Sequence, residues 1–451
     1  MHGTRAVEPA DALVPARPAA RVAPTMALLA LAVLAANRWG QALLDDGVRL
    51  RILAPPLIGR FRLGPAGGVL PLLVPLAAGA GLIAWLPRMA RDAPWPRALR
   101  LAAVAAVVWA VALALVDGTS GLTRPMELTG HYLLDVGEVR SPGDFLRGFT
   151  DRIDDYGVHV RSHPPGLVLL LWALAQVGLG GSGAAAALVI VGGAAAVPAL
   201  LLITRELAGE DMARRALPFL VLAPAALYVA STGDALFAGV GAWAAAGVVL
   251  ATGRHDRRGD ALAAAGGAAF GVALLLSYGL SLLVLLPVVA AVVHRRARPL
   301  VVAAAVGTVV LGAAGLAGFW WFDGLLTTRG EYLESVASVR PYGYFLFANL
   351  VGLAIVLGPA TLAGLARLVG ADGPARRLAL VVGPALAMVA LADLSGMSKG
   401  EVERIWLPFA LCLLPAGALV AEARDAGAMR RWLWVQVGCA VAVTAFVRTH
   451  W

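Results

Sequence analysis

Lysine is almost missing from this 451-residue chain: Lys399 is the only one, so arginine carries nearly all of the formal net charge of +9. Charge of either sign is scarce, at 14% of residues, against roughly 25% in soluble globular proteins. Cysteine is scarce as well. Cys412 and Cys439 both lie inside apolar runs, which excludes a disulfide framework and a thiolate zinc site and leaves two buried thiols. The chain has no P-loop pattern and no glycine-rich turn of the dinucleotide-binding kind, so nothing marks a nucleotide site. No basic run is interleaved with aromatics as single-strand binding requires, and nucleic acid is not an expected partner. The arginine- and alanine-rich usage is that of a GC-rich coding sequence.

Apolar residues dominate what is present, at 60% of the chain, with a mean hydropathy of +0.79. A soluble fold would expose much of that surface as large apolar patches, which soluble monomers rarely do. The expected fold is therefore an all-α, polytopic membrane helical bundle of about 12–14 spans set in membrane lipid. Residues 1–21 have no apolar period and read as a disordered cytoplasmic tail. The apolar run 22–36 is short and must recruit residues 37–44 to cross; a cleaved signal peptide is the competing reading. Residues 22–97 form N-terminal spans, 98–420 the main membrane domain and 421–451 a C-terminal span.

Arginine clusters set the expected orientation. Connections around 88–100, 205–215, 254–258, 295–298, 367–377 and 424–431 carry them and should face the cytoplasm. Connections 117–165, 231–234, 277–279, 322–344 and 393–404 then face outward. Two full crossings between 166 and 203 would invert everything downstream, so one of those two segments should dip in and return or fall short of a span. Loop 37–64 also carries five arginines although the scheme places it outside, which the orientation rule does not explain.

The loop 117–165 holds the densest polar chemistry, with eight acids and three of the seven histidines. Ser141, Pro142 and Asp144 form a helix-start signal. Phe145, Leu146, Phe149 and Ile153 would share one face of such a helix, either buried in the lipid boundary or packed on the membrane domain. Glu127, His131 and Asp135 recur at intervals of four, which stacks them on one face of a helix. That arrangement suits a general base or a divalent-metal site, and equally a solvated helix face. His159 and His163 end the loop and are candidates for metal binding, for hydrogen bonds to phosphate, or for capping the next helix.

An acid and a tyrosine close together after an apolar span (Glu127 and Tyr132), with His163-Pro164-Pro165 at the start of the next, resemble the membrane glycosyltransferases of the GT-C type, among them protein mannosyltransferases and aminoarabinose transferases. Thr232-Gly233-Asp234-Ala235-Leu236-Phe237 resembles that family's Asp-containing turn, 322–344 its later outer loop, and Glu403-Arg404-Ile405-Trp406-Leu407-Pro408 its late Arg-Tyr element. The chain departs from the pattern in having Met126 before Glu127 instead of a second acid, and Ile405 instead of tyrosine. The resemblance implies a polyprenyl-phosphate-linked sugar as donor, a glycan, lipid or protein of the cell envelope as acceptor, and an active site on the outer face of the cell membrane. It implies that Glu127, with Asp135 behind it, deprotonates the acceptor or helps hold a cation such as Mg or Mn, Glu127 and His163 being the possible ligands.

Such a donor carries its own leaving group, so the enzyme must place an acceptor hydroxyl for in-line, inverting attack, remove its proton and stabilise the departing phosphate. Arg404 is the first choice for the phosphate because of its forked donors, with Lys399 and Arg340 behind it. His131, Tyr132, His159, His163 and Asp234 are the remaining substrate-binding candidates. The alternative function is a transporter or flippase of a lipid-linked envelope precursor, which should show matching half-repeats and ionisable groups at mid-membrane. The third is an inactive scaffold that binds polyprenyl lipids.

Overall fold

The computed structural model describes residues 21–448 apart from 66, 129, 231 and 422–424; the expected tail at 1–21 lies almost entirely outside them. The described residues form the all-α, polytopic membrane fold. Nine of their helices are long and apolar enough to cross a membrane, and Gly166–Gln176, Tyr278–Val293 and Leu407–Leu419 are shorter apolar helices.

At 166–203 the two apolar segments differ in length. Gly166–Gln176 has 11 residues and rises only about 17 Å, short of the roughly 30 Å of hydrocarbon. After it, the Ser182 hydroxyl donates to Glu127 Oε1, in the long loop that precedes the helix. Ser182–Ala208 is the one stretch here long and apolar enough to cross.

The bundle has two chemically distinct ends. At one, Arg205 and Arg214 flank the Trp95 ring at 5.1 and 5.3 Å, and both pair with Glu210. Arg298 pairs with Asp260 there, and Glu206 lies 4.0 Å from His294. At the other end the long loops meet. Arg161 pairs with Glu331 at 3.2 Å, Tyr332 donates to the Gly396 carbonyl, and Arg62 pairs with Asp117 at 2.6 Å. A two-residue ribbon joins Arg60–Phe61 to Val447–Arg448, tying the connection after the Val22–Asp45 helix to the C-terminal helix Ala426–Phe446.

Gly233–Thr252 is the most enclosed span. It packs backbone to backbone on the Ser182–Ala194 helix: a Cβ at Gly239 would lie 1.9 Å from the Gly192 carbonyl oxygen, so only glycine permits this approach, as small residues do between membrane helices generally. Tyr342–Leu368 kinks at Gly358 (φ +74°), directly before Pro359. The kink frees backbone groups that lipid cannot satisfy. Fully buried Gln436 supplies the partners, accepting from the Ala360 N–H and donating to the Leu357 carbonyl, both at 3.1 Å.

In the first long loop one open alternative is settled and one expectation is corrected. The helix start at Ser141 is present, its hydroxyl accepting from the Asp144 N–H, but the helix is short, Pro142–Arg147. Phe145, Phe149 and Ile153 are buried against Tyr156 and Phe319, so the face packs on protein and does not enter lipid. Glu127, His131 and Asp135 do not share a helix. Ser120–Glu127 ends at the glutamate, and Gly130 in the left-handed region (φ +87°) turns the chain away.

Candidate active site

Three stretches of chain converge at the loop end. Gly233–Thr252 places Asp234 in its first turn, where the helix dipole favours a carboxylate. A four-residue helix, Val402–Ile405, carries Arg404. The two side chains form a buried pair, Arg404 Nη1 to Asp234 Oδ2 at 2.8 Å, each 7% exposed. Arg404 Nη2 reaches Glu401 Oε2 at 2.5 Å. Glu401 itself is held in the left-handed region (φ +63°), a conformation that costs a non-glycine residue roughly 1–2 kcal/mol and persists where the surroundings dictate it.

Those surroundings are explicit. Asn349 donates to Asp393 and to the Ser398 carbonyl and accepts from the Gly400 N–H. Arg340 donates to the Leu50 and Lys399 carbonyls, and Lys399 Nζ donates to the Ser338 carbonyl at 2.7 Å. Arg340 and Lys399 thus grip backbone around the turn that presents Glu401 and Arg404. Buried Glu403 accepts from the Ile58 N–H at 3.0 Å, and burial pushes its carboxyl up to about 7.

The first long loop supplies rings. His131 and His159 lie 4.2 Å apart by centroid. Tyr132 lies 5.9 Å from His159, 5.8 Å from His163 and 6.3 Å from Phe237, and His163 lies 5.3 Å from Phe237. Burial and then the Arg404 charge push the His131 imidazole down to about 4. Burial also lowers His159 and His163, so all three rings are neutral at pH 7. His163 Nδ1 pairs with the His159 carbonyl at 2.8 Å; since a carbonyl only accepts, Nδ1 carries the proton and Nε2 is an acceptor. His131 Nδ1 has no partner among the described residues.

The remaining candidates stand apart. Glu127 is exposed and bonded to Ser182, outside the ring cluster. Asp135 is buried and accepts the Gly157 N–H on both oxygens, at 3.3 and 3.1 Å; it holds the start of the Val158–Arg161 helix, which carries His159. Glu401 was missed in the sequence, although an acid three residues before Arg404 is the signal that finds it.

No group of three His, Cys, Asp or Glu side chains among the described residues is arranged to hold a metal ion. Asp234 and Glu401 are both committed to Arg404, so a divalent cation does not fit this cluster.

No family model and no curated protein matches the chain. Among solved structures, the oligosaccharyltransferase of Archaeoglobus fulgidus, crystallised with zinc and sulfate, is similar with a TM-score of 0.49 at 15% identity over 78% of this chain. ArnT from Cupriavidus metallidurans in its apo state is similar with a TM-score of 0.42 at 20% identity over 71% of this chain. The chain spans 53% of the length of the first and 60% of the second.

Proposed function

We propose that the protein is a membrane glycosyltransferase of the GT-C type. It moves a sugar from a polyprenyl-phosphate donor to an extracytoplasmic acceptor of the cell envelope (a glycan, lipid or protein) with inversion, and its arginine-rich end faces the cytoplasm. The observation that supports this most is the meeting of His131, Tyr132, His159 and His163 with Asp234, Glu401 and Arg404 at the end of the bundle where the long loops gather.

The charge balance of the cluster suits a sugar. Two carboxylates on one guanidinium leave a net charge of −1, and the imidazoles add none at pH 7. Such a site is poorly matched to an anion. It is well matched to a polyhydroxyl ligand whose anomeric carbon becomes positive in the transition state, since fixed negative charge aimed at developing positive charge lowers the barrier. The neutral histidines and Tyr132 supply hydrogen bonds and ring faces that orient the sugar.

Acceptor attack requires a base. In this proposal the base is a carboxylate, and Glu401 takes the place expected of Glu127. Its side chain is 25% exposed where that of Asp234 is 7%, so it reaches an incoming hydroxyl while Arg404 holds it in place. Glu401 removes the proton as the hydroxyl oxygen bonds to the anomeric carbon, and the donor's phosphate leaves with the bonding pair. Asp135, Arg340, Lys399 and Asn349 position the loop and the turn.

The test uses protein in lipid nanodiscs with labelled polyprenyl-phosphate sugars and envelope acceptors. Transfer by wild type, lost by about 100-fold or more in Glu401→Gln and retained in Glu127→Gln, supports the reading. Movement of intact lipid-linked sugar across the bilayer without transfer would favour the transporter.

A further inference from the structure

Arg298–Leu316 runs along the outside of the bundle and is 19 residues long. Its rise of about 28 Å matches the roughly 30 Å of bilayer hydrocarbon. It starts at the arginine-rich end, where Arg298 pairs with Asp260, so Leu316, almost fully exposed, marks the hydrocarbon edge at the loop end. Gly318 (φ +112°) turns the chain there, and the 14-residue helix Trp321–Glu334 follows. That helix is therefore built at the depth of the lipid headgroups.

A rotation of about 100° per residue sorts its side chains onto three faces. The first meets protein. Trp321 Nε1 donates to the Leu274 carbonyl at 2.8 Å, Thr328 donates to the Arg161 carbonyl at 3.1 Å, Glu331 pairs with Arg161, and Tyr332 donates to the Gly396 carbonyl. Asp323, Gly330 and Glu334 make a second face, exposed and polar. Phe322, Leu326 and Leu333 make the third, within about 40° of one another, and each is more than half exposed. Exposed Trp320 continues this apolar stripe, its ring 5.6 Å from that of Phe322, and exposed Arg329 borders it.

Three faces match three surroundings. Protein covers one and water the second, and a helix at headgroup depth has acyl chains for the third. We infer that Trp321–Glu334 lies in the membrane interface at the loop end, with Phe322, Leu326 and Leu333 seated among the outermost acyl carbons of that leaflet's phospholipids. The stripe continues the lipid-facing side of Arg298–Leu316, which is why its partner is the lipid surface and not a second protein. Tryptophan at the end of a span is a membrane-interface anchor, and Arg329 extends its charged tip from the apolar border to the headgroups. The same helix holds Arg161, at the end of the short helix that carries His159, and the Gly396 carbonyl ahead of the turn that presents Glu401. Contact with lipid thus braces both halves of the candidate site, and the lipid boundary that the 145–153 face does not enter is occupied by this helix instead.

The experiment places a nitroxide label on the full-length protein in phosphatidylcholine nanodiscs, in separate variants Leu326→Cys, Leu333→Cys and, on the polar face, Asp323→Cys. Unsubstituted protein, with Cys412 buried and Cys439 partly so, gives the background labelling. Access of oxygen, which partitions into acyl chains, is compared with access of a water-soluble nickel chelate. The labels at 326 and 333 should be oxygen-accessible, about 5–10 Å below the headgroup phosphates, and the label at 323 nickel-accessible. Nickel access at 326 and 333 equal to that at 323 overturns the inference by placing the stripe in water. Shielding of 326 and 333 from both reagents also overturns it, by placing the stripe against another protein chain. As a second measurement, the double change Leu326→Asp, Leu333→Asp should speed amide hydrogen exchange across 321–334 at least about tenfold in nanodiscs; unchanged exchange overturns the lipid anchoring. Neither readout involves turnover, so a protein that transfers no sugar removes the transferase reading and leaves this inference standing.

Discussion

Arg404 and Asp234 lie 170 positions apart in the chain and 2.8 Å apart in space, each almost completely enclosed. Removing one member of a buried ion pair leaves an uncompensated charge and costs about 3–5 kcal/mol. Because Glu401 also holds Arg404, Asp234→Asn is expected near the lower bound and Arg404→Met, which strands two carboxylates, near the upper. Thermal denaturation in nanodiscs checks the order; equal costs would show that Glu401 does not share the guanidinium.

The pH dependence of stability has two opposed components. The His131 imidazole sits at about 4 against an ordinary 6.5, so the unfolded chain takes up protons first. Its contribution is complete above about 6.5 and is lost as pH falls toward 4. Melting temperature should therefore drop between pH 7 and pH 4.5, and His131→Asn should flatten that drop. An unchanged slope in the variant would contradict the burial of a neutral ring.

Glu403 works the other way. Its carboxyl sits at about 7 against 4.5, so its contribution is present below about 4.5 and is lost as pH rises through 7. Glu403→Gln keeps the acceptor for the Ile58 N–H and cannot ionise. It should be more stable than wild type at pH 8, by about 3 kcal/mol, and the difference should shrink toward pH 5. A variant less stable than wild type at pH 8 would mean that the charged carboxylate is favoured in the fold.

The kink at Gly358 offers a test independent of function. Gln436→Leu preserves volume but strands the Ala360 N–H and the Leu357 carbonyl. An unpaired buried polar group costs about 1–3 kcal/mol. Denaturation of the variant should show a loss in this range; a neutral result would mean that water or a neighbouring group replaces the amide.

Much of the architecture was legible in the sequence, because apolar runs obey simple rules of length. The exceptions have local causes. Gly166–Gln176 reads as a span by composition, but its 11 residues are too few to cross. The spacing of four that linked Glu127, His131 and Asp135 presumed a helix that Gly130 ends. His163, Asp234 and Arg404 were visible as separate motifs, but nothing in a one-dimensional pattern reveals that Asp234 and Glu401 share one guanidinium. Nor does spacing reveal that Arg340 and Lys399 are occupied with backbone carbonyls. The arginines of loop 37–64 made no sense alone; the ribbon to Val447–Arg448 places two of them on one cavity.

The decisive measurement is sugar transfer from a labelled polyprenyl-phosphate donor by the wild-type protein beside Glu401→Gln and Glu127→Gln, each shown to be folded. Transfer that survives in the Glu127 variant and falls by about 100-fold or more in the Glu401 variant is the expected result. Full activity in Glu401→Gln, or loss only in Glu127→Gln, would contradict the assignment of catalysis to the Asp234–Arg404–Glu401 cluster.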